Sequence, residues 1–132
     1  MAKARKVKQL SFDIADRPGL LSGITDAVAH AKVNLTAICA YAMDNKAYFM
    51  MTTESNAKAK KALAELNIKP EEEDVVTVEM PNTTGSLQKV AKKIANAGIN
   101  IFYLYATAST GKTSTCVFST SDNRKAIKAI NR

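Results

Sequence analysis

The chain has 132 residues, of which 46% are hydrophobic, and a formal net charge of +7 from 19 basic and 12 acidic side chains. This length predicts a single domain, and the apolar fraction is sufficient for a packed core. No apolar run approaches the ~18 residues of a membrane-spanning helix. The basic start "MAKARKVK" is not followed by the apolar stretch of a secretory signal. We therefore expect a cytoplasmic protein without a membrane segment.

Segments with the periodicity of strands and helices alternate through the first half of the chain. Apolar residues recur first at every second position, as in a half-buried strand, and then at helical spacing after the turn "DRPG". Ser55 precedes a second amphipathic segment and is a suitable N-cap, as is Ser121 before the last segment of the chain. The predicted elements are a strand over 7–14, a helix over 18–31, strands over 33–43 and 47–53, a helix over 55–66 and a short strand near 68–71.

The second half of the chain repeats the first at an offset of 66 residues, so that Gly19 corresponds to Gly85 and Asn34 to Asn100. The order β-α-β-β-α-β is that of a ferredoxin-like unit, but the second copy stops where its last strand would begin. The repeat therefore replaces the single-domain prediction with an α+β fold of two ferredoxin-like units, 1–70 and 71–132, packed side by side, the second lacking its last strand. The second copy is predicted to have strands over 75–80, 99–108 and 113–120 and helices over 85–97 and 121–130.

The strand that follows the first helix of each copy is expected to lie at a sheet edge. Exposed edges are usually protected by charged residues or proline, and neither "VNLTAICAYAM" nor "INIFYLYATAS" contains one. We therefore expect these two edges to pair with each other, within one chain or between two chains. Such pairing would bring Asn34 and Asn100 next to the Gly-containing turns. Cover by a helix or a loop is the alternative.

Residues of common catalytic and metal-binding motifs are sparse. His30 falls outside the apolar stripe of its helix, and Cys39 and Cys116 lie far apart in apolar strands. We therefore predict a solvated histidine, two thiols that act as small hydrophobic side chains, and no metal or cofactor. The segment "STGKTST" lacks the first glycine of a phosphate-binding loop and is predicted to be a hairpin turn. The acidic segment "KPEEED" is interpreted as a solvated linker between the copies.

The turn before the first helix of each copy has chemistry that suits a small ligand. A glycine there lets the backbone approach a ligand, and the helix N-terminus behind it offers unpaired N–H groups to a carboxylate. Asn34 or Asn100 adds an amide that both donates and accepts, and Asp16 adds a negative charge for an ammonium group. Together these groups would hold an α-amino acid. A capped helix with a turn-forming asparagine is the structural alternative.

The segments "DRPGLLSGITDAVAHAKVNLTAI" and "MPNTTGSLQKVAKKIANAGINIFYLYA" resemble the first halves of two ACT domains, the small-molecule-sensing modules of amino-acid metabolism. The resemblance covers nearly the whole chain. It implies a non-catalytic, cofactor-free regulatory protein that binds an amino acid at the interface of two such units. We also expect a homodimer and a regulated enzyme partner. Thr83 and Thr84 replace the Arg-Pro pair in the second turn. The resemblance assigns ligand binding to Asp16, Arg17, Pro18, Gly19, Leu20, Asn34 and Leu35 in the first copy, and to Asn82, Gly85, Ser86, Leu87, Asn100 and Ile101 in the second.

Two other functions stay open at this point. The net charge of +7 permits a nucleic-acid-binding protein, although its strands lack the exposed aromatic pair that RNA-recognition domains use, and Tyr103 and Tyr105 come closest. An acylphosphatase-like hydrolase would need an arginine and an asparagine on one phosphate, and Arg17 with Asn34 would be that pair. No second polar group is placed to activate water, so we expect no enzyme activity.

Overall fold

The structure is a computed structural model that describes residues 1–107 and 110–132. In these residues the order of elements starts with β-α-β-β-α and then repeats it, which confirms the predicted α+β ferredoxin-like fold. No helix in the described part of the chain is both long and apolar enough to cross a membrane. The elements are β1 (Lys3–Ala15), α1 (Leu20–His30), β2 (Leu35–Met43), β3 (Lys46–Thr53), α2 (Asn56–Ala64), β4 (Glu71–Pro81), α3 (Ser86–Asn96), β5 (Ile101–Thr107), β6 (Thr113–Thr120) and α4 (Asn123–Asn131).

The chain divides into two compact units, one of residues Lys8–Glu73 and one of residues Met1–Val7 with Asp74–Arg132. Both long strands therefore change unit along their length. The division by repeat into 1–70 and 71–132 stays a prediction about the two sequence copies. The linker interpretation of "KPEEED" and the separate strand near 68–71 are wrong, because Glu71 already begins the 11-residue strand β4.

In the unit of residues Lys8–Glu73 the strand order is β2-β3-β1, and both pairs are antiparallel. Leu20, Ile24 and Val28 face the sheet because they recur every four residues along α1. The buried residues of this core are Leu10, Leu20, Ile24, Val28, Val33, Ala47, Phe49, Met51, Ala59, Leu63 and Ile68.

In the unit of residues Met1–Val7 and Asp74–Arg132, the first residues of β1 take the place of the missing last strand. The strand order is β1-β4-β6-β5, and Ala4 is buried in the core with Val76 and Val78. Ala4 N–H donates to Asn131 Oδ1 at 2.7 Å, and Asn131 Nδ2 donates to the Ala4 carbonyl at 2.9 Å. The second copy thus obtains a strand from the start of the chain, which α4 holds through one asparagine.

A threonine–asparagine clasp occurs once in each copy at the end of the third strand. Thr53 Oγ1 donates to Asn56 Oδ1 at 2.7 Å, and Asn56 Nδ2 donates to the Lys8 carbonyl at 3.0 Å. The corresponding bonds run from Thr120 Oγ1 to Asn123 Oδ1 and from Asn123 Nδ2 to the Asp74 carbonyl. Each clasp ties the start of a helix to the residue at which a long strand changes unit.

The helices α1 and α3 end in the same hydrogen-bonded motif. Lys32 follows α1 with φ 58°, and Gly98 follows α3 with φ 73°. Lys32 N–H donates to the Ala29 carbonyl at 2.9 Å, and Val33 N–H donates to the Val28 carbonyl at 3.3 Å. This is a Schellman motif, in which glycine is the preferred left-handed residue. A lysine therefore occupies a glycine position in the first copy.

The edge strands β2 and β5 do not pair with each other. Each has a single strand neighbour in the described residues, which is β3 for β2 and β6 for β5. The expectation that they pair within one chain is therefore wrong, whereas pairing between two copies stays a prediction. Tyr41 and Met43 on β2, and Phe102 and Leu104 on β5, are exposed.

Candidate functional site

The turns that precede α1 and α3 share one backbone conformation. Gly19 has φ 84° and ψ 1°, and Gly85 has φ 84° and ψ 0°, in the left-handed region that L-residues rarely adopt. A Cβ atom added to either glycine would meet no heavy atom within 4 Å. Backbone conformation rather than crowding therefore requires the glycines, and the space beside each turn is open.

The starts of α1 and α3 differ from those of the other two helices. Ser55 caps α2 as predicted, and its Oγ accepts a hydrogen bond from the Lys58 N–H at 3.4 Å. Asp122, and not the predicted Ser121, caps α4, and its Oδ1 accepts from the Lys125 N–H at 3.0 Å. Among the described residues, no side chain caps α1 or α3. The first N–H groups of a helix lack partners within it and carry the positive end of its dipole. The two turns therefore present donors that suit a carboxylate.

An open cleft lies beside each turn, and corresponding residues build both. The cleft beside α1 has a volume of about 280 Å³, and the cleft beside α3 has one of about 240 Å³. Gly23 corresponds to Lys89, and Leu20 to Ser86, and the second cleft is the more basic because Lys89 and Lys93 line it, whereas Arg17 lines the first. The first is lined by Ile14, Ala15, Arg17, Leu20, Gly23, Ile24, Leu66, Asn67 and Ile68, and the second by Met1, Ala2, Met80, Pro81, Thr83, Ser86, Lys89, Val90 and Lys93.

Asn34 and Asn100 form the last hydrogen bonds between neighbouring strand ends, just before β2 and β5 begin. The Asn34 carbonyl accepts from the Glu54 N–H at 3.0 Å, and its Nδ2 donates to Glu54 Oε1 at 3.3 Å. Asn100 N–H donates to Ser121 Oγ at 3.0 Å, and its carbonyl accepts from the Ser121 N–H at 2.9 Å. Both asparagines are exposed.

Within each unit the turn and the asparagine lie at opposite ends of the sheet. Asp16 N–H donates to the Asn45 carbonyl at 3.0 Å, which places the first turn beside the end of β2, whereas Asn34 precedes its start. Nine strand residues at ~3.3 Å each separate the two by about 25–30 Å. Within one unit, Asn34 and Asn100 therefore do not lie next to the turns, and their predicted place beside a Gly-containing turn stays a prediction about two copies of the chain.

The second turn is docked onto the hairpin between β5 and β6. Asn82 N–H donates to the Lys112 carbonyl at 2.9 Å, and Asn82 Nδ2 donates to the Gly111 carbonyl at 3.1 Å. Ser86 N–H donates to the Thr83 carbonyl at 3.2 Å, and the hydroxyls of these two residues are 2.9 Å apart. The Gly-Lys-Thr segment thus joins two strands, as predicted, although residues 108 and 109 of the predicted strand and turn lie outside the described residues.

The remaining predicted ligand residues divide into anchors and exposed groups. The sequence predicts that Leu20 and Leu21, directly after the first turn, both anchor α1 in the core. Leu20 is buried as predicted, but Leu21 is 52% exposed, so the prediction is wrong for Leu21. Leu87 is also exposed, at 40%. Leu35 and Ile101 are half-buried, and Asp16, Arg17 and Pro18 are exposed. Sequence reasoning missed the cleft residues Leu66–Ile68 and Met1–Ala2. Met1 and Ala2 reach the second cleft because the first residues of β1 take the place of the last strand of the second copy.

Three titratable side chains outside the turns, His30, Lys46 and Cys116, have contacts or burial that the structure describes. His30 is exposed, as predicted, and lies 3.3 Å from Asp26. Lys46 lies 3.1 Å from Asp13, and the hydrogen bond to that carboxylate raises the pKa of the ammonium group. Burial raises the pKa of the Cys116 thiol to about 11. Within residues 1–107 and 110–132, no group of three or more His, Cys, Asp or Glu side chains is placed to hold a metal ion.

Comparison with known proteins agrees with this architecture. The family model described as an ACT domain pair matches residues 5–131. The structure of protein BT0572 from Bacteroides thetaiotaomicron is similar, with 28% identity, a TM-score of 0.87, and coverage of 97% of this chain and 88% of that one. The ligand-free regulatory subunit of aspartate kinase from Thermus thermophilus has 16% identity and a TM-score of 0.71, with coverage of 98% and 94%. The corresponding subunit from Thermus flavus has 17% identity and a TM-score of 0.61, with coverage of 99% and 94%. No curated protein sequence matches the chain.

Proposed function

Because the chain belongs to the family of ACT domain pairs, a regulatory family, we propose that it is a non-catalytic sensor that binds an amino acid. The observation that carries this proposal is the pair of uncapped helix starts. Both follow a left-handed glycine, both border an open cleft, and both recur at the same position in the two copies. A cap formed by a ligand carboxylate would replace the side-chain acceptors that α2 and α4 have.

The first turn offers partners for both charged groups of an α-amino acid. The N–H groups at the start of α1 would donate to the carboxylate, and the Asp16 carboxylate would accept from the ammonium group. Arg17 lies beside the cleft, where it would contact the ligand side chain. In the second turn Asn82 stands where the first has Asp16 and is occupied with the hairpin. We therefore assign the tighter site to the first turn.

We propose that the asparagine of the site comes from a second copy of the chain. When two β2 strands pair antiparallel across a two-fold axis, the start of each lies beside the end of the other. Asn34 of one copy would then lie beside the turn of its partner, because Asp16 is bonded to Asn45 at the end of β2. The uncharged edge of β2 is suited to such pairing, and the site would be complete only in a homodimer.

The sensor acts by changing the balance between two assembly or partner-binding states. A ligand shifts such a balance only by its difference in affinity for the two states. We propose an enzyme of amino-acid metabolism as the regulated partner, as in the neighbour that is a regulatory subunit of aspartate kinase. The cytoplasmic location expected from the sequence stays part of this proposal.

A thermal-melt screen tests the proposal. The purified protein is melted with each of the twenty amino acids, with a nucleotide and with a short oligonucleotide. A ligand at about 100 times its Kd stabilises by roughly 2.7 kcal/mol, which for a chain of this length raises Tm by about 10 °C. We expect one amino acid, or a few related ones, to give such a shift. A shift with the oligonucleotide alone would instead favour nucleic-acid binding.

The substitution Asn34→Ala tests the assigned residue. We expect it to weaken binding of the amino acid at least about tenfold, because one amide donor and acceptor are lost from the site. Asn96→Ala is the matched control, since Asn96 is an exposed asparagine at the end of α3. An affinity of Asn34→Ala equal to that of the control would remove Asn34 from the site.

A further inference from the structure

A cavity of about 490 Å³ lies in the unit of residues Met1–Val7 and Asp74–Arg132; it shares Met1 and Ala2 with the cleft beside α3 but includes no residue of either turn. Ala4, Val76 and Val78 point into the core of this unit. Lys3 and Arg5 alternate with Ala4, and Thr77 and Glu79 alternate with the two valines, so all four lie on the opposite face of the sheet. The cavity is lined by Met1, Ala2, Lys3, Ala4, Arg5, Thr77, Glu79 and Asn131.

A buried hydroxyl in the wall of this cavity has no partner. Thr77 is only 8% exposed, and its Oγ1 makes no hydrogen bond to any residue that the structure describes. A buried hydroxyl without a partner is unfavourable, and a valine of the same shape would avoid this cost. The Oγ1 atom is shielded from solvent, and a rotation of about 120° about the Cα–Cβ bond would move the hydroxyl to another staggered position.

Three charged side chains around the cavity also have no partner among the described residues. Within residues 1–107 and 110–132, the charged groups of Lys3, Arg5 and Glu79 take part in no hydrogen bond or ion pair. The Asn131 amide, by contrast, is occupied on both sides by the Ala4 backbone. The walls therefore present two cations and one carboxylate to a ligand, while the unpaired Thr77 hydroxyl is buried within them.

We propose that this cavity binds a small zwitterion with a net negative charge. Its ammonium group pairs with the Glu79 carboxylate, and its anionic groups pair with Lys3 and Arg5. The Thr77 hydroxyl rotates to complete one of these contacts. The volume falls in the range of small-molecule sites. The cavity contains no residue of either turn, so this proposal does not depend on the ligand proposed for them.

Calorimetric titration at low ionic strength tests this assignment with three probes that differ by one charged group. L-Glutamate carries both kinds of charge, L-glutamine lacks the second carboxylate, and glutarate lacks the ammonium group. We expect millimolar or tighter binding of L-glutamate, and at least about tenfold weaker binding of each of the other two. No heat with L-glutamate, or equal affinity for all three probes, would overturn the proposal.

Two substitutions separate this site from the turn site. Thr77→Val should raise Tm by several degrees in the free protein, because it removes the unpaired hydroxyl, and should weaken L-glutamate binding about tenfold. Glu79→Gln should lower the affinity for L-glutamate, whose ammonium group loses its partner, and should not lower the affinity for glutarate. Loss of L-glutamate binding in Asn34→Ala, with unchanged binding in both cavity variants, would place L-glutamate at the turns and refute the cavity site.

Discussion

Replacement of Asn131 by alanine should release the strand that the second copy receives from the start of the chain. The variant loses the hydrogen bonds of 2.7 and 2.9 Å to the backbone of Ala4, whose side chain is buried in the core. At about 1 kcal/mol for each bond, the free energy of unfolding should fall by about 2 kcal/mol. With an unfolding entropy near 2.1 cal/mol/K per residue, this corresponds to a fall in Tm of about 7 °C.

Calorimetry and amide hydrogen exchange measure the two expected effects of Asn131→Ala. Exchange of the Ala4 amide should accelerate most, because this N–H loses its acceptor. Asn131→Asp keeps that acceptor but cannot donate to the Ala4 carbonyl, so we expect an intermediate Tm, and Asn96→Ala should leave Tm unchanged. A loss below about 0.5 kcal/mol, or unchanged exchange at Ala4, would refute the account in which Asn131 holds this strand.

Three further predictions concern Lys32 and Cys116. Lys32→Gly should stabilise the chain by about 0.5–1 kcal/mol, because the left-handed residue after α1 becomes the glycine found after α3; a lower Tm would contradict this. Cys116 should resist alkylation at pH 8 while the half-buried Cys39 reacts first. The folded pKa of Cys116 is raised to about 11 from 9.0, so its contribution to stability is complete below pH 9 and is lost between pH 9 and 11. The free energy of unfolding should fall by roughly 2–3 kcal/mol across that interval, and an equal fall in Cys116→Ala would contradict the assignment.

The repeat carried most of the sequence-level prediction of the fold. Both α1 and α3 follow a left-handed glycine and have buried apolar residues at helical spacing. Matching Gly19 with Gly85 therefore aligned the two copies and predicted both turns. The ends of β1 and β4 that belong to the other unit, residues 3–7 and 71–73, could not be recognised in this way. Ala4 is the buried residue of the segment, and a small side chain between Lys3 and Arg5 gives little apolar signal. The acidic residues 71–74 at the start of β4 also give no apolar signal, so the sequence did not predict that the strand begins there.

The composition of the site was easier to predict than its geometry. Asn34 was identified from its place at the start of an apolar strand, but sequence spacing does not say which end of a sheet a residue occupies. That depends on the direction of β2 relative to β1, which the pairing of both strands with β3 fixes. The unpaired Thr77 hydroxyl was invisible in the sequence, because an alternating threonine in a strand is ordinary.

A mixed dimer tests most directly the claim that the amino-acid site combines a turn with the asparagine of a second copy. Asn34→Ala and Asp16→Ala chains with different tags are co-expressed, and the mixed dimer is titrated with the amino acid that the melt screen identifies. Each variant alone should bind weakly. The mixed dimer should regain one site of wild-type affinity, formed by the intact turn of one chain and the intact Asn34 of the other. A mixed dimer as weak as its parents, or parents that bind like the wild type, would contradict the account.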